Sequence, residues 1–170
     1  MLVNHFKQTL DIWINALDDY QLARLCIKPS PTAWSLGQLY FHLIKNTEFY
    51  LEQVEICLST DDHLSDQPSQ EAVEMFERNE FPNEIIEGPD TDVDFPQPKS
   101  SEELRKPLAH LKEQIQSLAY GISNRRYSGK TKHPGLGYFN AYEWLQFAEM
   151  HLRHHLRQKK RIEDFLNTLH

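Results

Sequence analysis

Phe6, Leu10, Trp13, Leu17 and Tyr20 recur three and four positions apart, which lines one side of a helix from about residue 3 to 25. The prolines of Lys28-Pro29-Ser30-Pro31-Thr32 then impose a stiff, extended connection. Ser35, with Gln38 three positions on, has the form of a capping box and opens a second helix to about Leu58. Leu39, Leu43, Phe49, Ile56 and Cys57 make its apolar face. Ser100-Ser101-Glu102-Glu103 starts a third helix, in which Leu104, Leu108, Leu111, Ile115, Leu118 and Ile122 keep the helical spacing to about Gly121. Pro107 is expected to kink it or shift its first turn, and His110 falls off the stripe, toward solvent. Residues 123 to 139 read as a loop, and the last pattern runs from Asn140, a cap paired with Glu143, to Leu169. That stretch of about thirty residues holds no Gly or Pro, so a single helix of roughly 40 Å is predicted.

On that last helix Trp144, Ala148, Ile162, Leu166 and Leu169 share one face, with Phe147 and Phe165 beside it. His151 and His155 fall at its centre, while Arg153, Arg157, Lys160 and Asp164 point the other way. His42 lies in the middle of the second helix's apolar face, with Asn46 and Gln53 close to its line. A single inward histidine is more often a satisfied core residue than a ligand. Two at i and i+4 present ring nitrogens on one side, at a separation one metal ion spans. His154 lies at the edge of the face, beside the pair or in solvent, and Cys57 reads as a small buried hydrophobe.

Composition narrows the classes. At 170 residues and 39% apolar, one domain with a full core is expected, and six glycines favour helices over strands. No apolar run approaches the roughly 18 residues of a membrane span, and the start is unlike a signal peptide. Cys26 and Cys57 are too few for a disulfide framework, so a cytoplasmic protein is expected. The net charge of −7 argues against nonspecific nucleic-acid binding. The basic run Arg153, Arg157, Lys159, Lys160 and Arg161 reads as a solvated helix back, balanced by Glu149, Glu163 and Asp164. Residues 59 to 100 carry five prolines and twelve acidic side chains against Arg78 and Lys99, a local net charge of −10. This long connection is a crossover expected to pack across one end or side of the molecule, a lid if it covers the histidines and otherwise a solvated acidic loop, with a short amphipathic helix between Ser69 and Phe81.

Four long helices with one long connection predict an all-α four-helix bundle, in which helices one and two, and three and four, are antiparallel neighbours. Its interior would hold His42, His151 and His155, three imidazoles with an open fourth position, as in catalytic rather than structural zinc sites. Such an ion lowers the pKa of bound water toward about 7 or polarises a bound ligand. The chain has no Glu-x-x-His for a di-iron site, no His-Glu-x-x-His, no Cys-x-x-Cys and no phosphate-cradling Gly-rich loop. His133 is the plausible general base.

Trp34-Ser35, eight positions before His42-Leu43, and the closing His151-Leu152-Arg153-His154-His155-Leu156-Arg157-Gln158 resemble the DinB-like (YfiT-like) superfamily of metalloenzymes. His133-Pro134-Gly135-Leu136-Gly137 followed by Glu143-Trp144-Leu145 is similar to the approach to the last helix in some members. The resemblance implies an up-down-down-up bundle with a divalent metal ion on His42, His151 and His155. Members of that superfamily include thiol transferases acting with low-molecular-weight thiols, and a metal ion with an open position also suits hydrolysis by bound hydroxide. The expectation is therefore a metal-dependent enzyme, with zinc or nickel as the ion. Its partners would be a small-molecule substrate and a second copy of the chain, not nucleic acid or a membrane. The alternative is a bundle that binds a metal or ligand without catalysis.

Overall fold

Ser35 caps the second long helix as its sequence requires: its hydroxyl accepts from Gln38 N, and the Gln38 side chain accepts from Ser35 N. Ser69, Ser100 and Asn140 do the same service at three further starts, Asn140 with Glu143 as a second full capping box. The computed structural model describes residues 1–82 and 95–169. Its elements are α1 (Leu2–Ala16), α2 (Leu22–Leu25), α3 (Leu36–Cys57), α4 (Gln70–Arg78), α5 (Ser101–Ser123), β1 (Lys130–His133), β2 (Gly137–Asn140), α6 (Ala141–His154) and α7 (Leu156–Leu166).

Ion pairs and ring contacts fix how the long helices run. Asp11 pairs with Lys112 and Asp18 with Arg105, so α1 and α5 are antiparallel. Thr9 bonds Glu149 and Trp13 Nε1 donates to Leu152 O, so α1 and α6 run the same way. Tyr50 meets Trp144 and Phe147 while His42 meets His151 and His155, so α3 runs against α6. Phe6, Leu10, Trp13, Leu39, Leu43, Leu104, Leu108, Ile115, Trp144 and Ala148 are fully buried between them. Pro107 sits in the second turn of α5 without ending it, at the loss of one ladder bond. His110 is exposed.

Several expectations are corrected. The first helix stops at Ala16; Leu17–Asp19 form a 3-10 turn, and Tyr20 is extended, its hydroxyl bonded to Glu163. The path from residue 17 to 35 is therefore long, and α1 packs chiefly against α5 and α6 rather than α3. α1 meets α3 where Tyr40 donates its hydroxyl to Trp13 O at 2.7 Å. The last helix is not continuous: it breaks at His155, the residue whose ring is drawn against both other histidines. The all-α reading gives way to a mostly helical fold with a small sheet, because residues 130–140 form an antiparallel hairpin where a loop was expected. Thr131 opposes Phe139, which is fully buried, and Thr131 Oγ1 accepts from Trp144 Nε1 at 2.7 Å. Gly137 has φ +84°, and a Cβ there would lie 2.7 Å from Gln67 O, so only glycine serves.

Glu149 is also misread by periodicity. It is 2% exposed, accepts from Thr9 Oγ1 and takes the Arg153 guanidinium fork. Arg153→Ala would leave that carboxylate buried and under-bonded, with an expected loss of about 1–3 kcal/mol in urea denaturation. Lys160→Ala breaks only an exposed pair with Asp164 and should stay within about 0.5 kcal/mol.

The acidic crossover begins at the hairpin, where Gly129 N donates to Thr60 O, Tyr138 N to Gln67 O and Ser69 N to Leu136 O. It then follows α6: Gln146 bonds Phe76 O and Arg153 bonds Asn79 O. Residues 83–94 lie outside the described residues, and with them the middle of the expected lid. The flanking residues Phe81 and Phe95 are buried, at 7% and 8% exposure.

Candidate metal centre

His42 is at the seventh position of α3, one turn past the capping box, and His151 and His155 are one turn apart at the end of α6. Because α3 and α6 run in opposite directions, the early part of one meets the late part of the other. His155 Nε2 lies 3.2 Å from His42 Nε2 and 3.1 Å from His151 Nε2. The nitrogens of all three lie within 4.8 Å of one another. Two nitrogens bound tetrahedrally to one ion at about 2.0–2.1 Å would be about 3.3 Å apart, close to both short separations.

The protons of the cluster sharpen the test. Gln158 Oε1 is 2.8 Å from His155 Nδ1, which places a proton on Nδ1 and leaves a lone pair on Nε2. His42 and His151 both approach that one lone pair. Asn46 Nδ2 is 3.2 Å from the His42 ring nitrogens, and His151 Nδ1 is buried with no hydrogen-bond partner. Three rings thus crowd one point without the donors and acceptors to satisfy each other. A divalent cation there accepts a lone pair from each, so the donor set fits an ion.

Burial also sets the protonation state. It pushes His42 down to about 4, His155 to about 3 and His151 well below the ordinary imidazole value, with neighbouring imidazoles adding to the shift at His151 and His155. All three rings are neutral at pH 7, the form that ligates metals.

Aromatic rings surround the cluster. Trp34 lies 4.9 Å from His42 ring to ring, Phe95 5.9 Å from it, and Tyr50 5.5 Å and Phe81 6.3 Å from His151. Gln38 Nε2 holds Phe95 O at 2.6 Å. Phe81 and Phe95 lie within the acidic segment and carry no periodic signal that marks them as neighbours of the histidines. His154 is beside the cluster, 5.4 Å from the His155 ring. His133 is not: it packs on Phe139, Trp144 and Phe147, and burial lowers it to about 4.

Among the described residues no helix is long and apolar enough to cross a membrane. A family model described as the DinB superfamily matches residues 5–158 of the 170. No curated protein and no solved structure matches the chain.

Proposed function

The chain belongs to the DinB superfamily, and from that membership and its three converging imidazoles we propose that it is a metal-dependent enzyme. His42, His151 and His155 hold one divalent ion, zinc or nickel, and leave a position open. The observation that carries this is the trio of imidazoles facing one point, His42 and His151 buried and His155 half-buried, with too few hydrogen bonds among them. The pairwise helix directions support an up-down-down-up bundle as its frame.

When bound, the ion supplies Lewis acidity to a water or thiol at the open position. The chain's own residues do the rest. Gln158 fixes the His155 tautomer, Asn46 holds the His42 ring, and Trp34, Tyr50, Phe81 and Phe95 keep bulk water from the cluster. The reaction class is hydrolysis or transfer to a low-molecular-weight thiol, on a small-molecule substrate. A cytoplasmic homodimer is the expected form.

The test is a panel of ester, amide and thiol–electrophile substrates with metal-free, zinc-loaded and nickel-loaded protein. Turnover should require metal and disappear in His155→Gln, which should remain folded because apolar burial dominates its stability. Thiol-dependent turnover selects the transferase. No turnover in any form, beside a metal-dependent rise in melting temperature, would contradict the enzyme and leave a passive metal-binding bundle.

A further inference from the structure

A cleft of about 320 Å³ opens beside the histidines, lined by Pro29, Trp34, Gln158, Arg161 and Ile162 among others. That volume is at the small end of ligand sites, which run to roughly 300–1,000 Å³. Two of its walls touch the cluster: Trp34 packs on His42, and Gln158 bonds His155 Nδ1. A molecule seated there packs against Trp34 and Gln158, the residues in contact with the His42 and His155 rings.

Arg161 is the one charged side chain among the described residues that line the cleft, beside the neutral Thr32 and Gln158. Neighbouring cations on these helices are paired: Arg153 with Glu149, Lys159 with Glu163 and Lys160 with Asp164. Arg161 is exposed, with no hydrogen bond or ion pair to any described residue. Gln158 spends its oxygen on His155, which leaves its amide hydrogens as donors. Pro29, Trp34 and Ile162 supply an apolar wall. A guanidinium fork beside an amide donor suits the paired oxygens of a carboxylate or phosphate, and the wall suits an apolar body attached to it.

We propose that this cleft is a subsite for the anionic end of a small molecule with an apolar body, with Arg161 as the residue that selects the charge. Assigning that molecule to the histidines as their substrate rests on the metal-enzyme reading above; the chemistry of the cleft does not.

The probes are benzoate and phenyl phosphate, with benzamide as the neutral control. Trp34 gives the signal, since it is half-buried in the cleft wall while Trp13 and Trp144 are fully buried. Titrations of metal-free protein should show at least one anion binding tighter than benzamide. Arg161→Gln should weaken that anion about tenfold or more and leave benzamide unchanged. Arg126→Gln, an exposed change at the hairpin approach, should leave both unchanged. The subsite is overturned if neither anion binds better than benzamide, if Arg161→Gln has no effect, or if Arg126→Gln weakens binding equally. Zinc uptake is measured in parallel. Normal uptake without Arg161 dependence contradicts the subsite alone, whereas Arg161-dependent binding without zinc uptake contradicts the metal reading alone.

Discussion

Saturating zinc is expected to raise the melting temperature of the metal-free protein by about 8–16 °C. An ion that binds only the folded chain stabilises it by about 4.1 kcal/mol at a thousandfold excess over its dissociation constant. In a chain of this size each kcal/mol moves the midpoint by about 2–4 °C. The effect should be this large because the three nitrogens are already gathered, 3.1 and 3.2 Å apart at the two short edges, so little ordering remains to oppose binding. His151→Ala should abolish most of the rise. A rise under about 2 °C, or an equal rise in His151→Ala, would count against the site.

The second large effect is acid sensitivity of the metal-free protein. In the unfolded chain each histidine takes a proton near 6.5, whereas in the fold burial holds His42 at about 4, His155 at about 3 and His151 well below normal. Below pH 6.5 the unfolded chain therefore binds protons that the folded chain refuses. Stability is complete above that value and is lost as pH falls toward the folded values, at about 1.4 kcal/mol per pH unit for each ring. Between pH 7 and 5 this is about 2 kcal/mol each for His42 and His155, and His151 adds in the same direction. His133, lowered to about 4 by its aromatic surroundings, adds to the same slope. Urea denaturation at stepped pH should show the loss, and His151→Phe should flatten the slope. A stability flat from pH 7 to 5 would contradict the buried neutral imidazoles.

What was legible in the sequence was what local chemistry decides. The caps at Ser35, Ser100 and Asn140 are contacts within four residues, so their residue types announce them. His42, His151 and His155 showed themselves because helical periodicity places side chains by angle, and apolar neighbours reveal which angle is inside. The hairpin did not, because two four-residue strands are too short for alternation to stand out and depend on non-local partners such as Thr60 and Gln67. Glu149 looked solvated because periodicity cannot see Thr9, which lies 140 residues away and helps bury it. The break at His155 escaped notice for a related reason: no Gly or Pro marks it, and only contacts across the bundle reveal it. Arg161 looked like one charge among many until its neighbours proved to be paired.

The most direct measurement is a crystal structure of zinc-soaked, tag-free protein with diffraction recorded on both sides of the zinc absorption edge. The expected result is one anomalous peak per chain, about 2.0–2.1 Å from the Nε2 atoms of His42, His151 and His155, and no such peak in His42→Ala crystals. An empty cluster at saturating zinc, or an ion held by other residues, would contradict the metal centre.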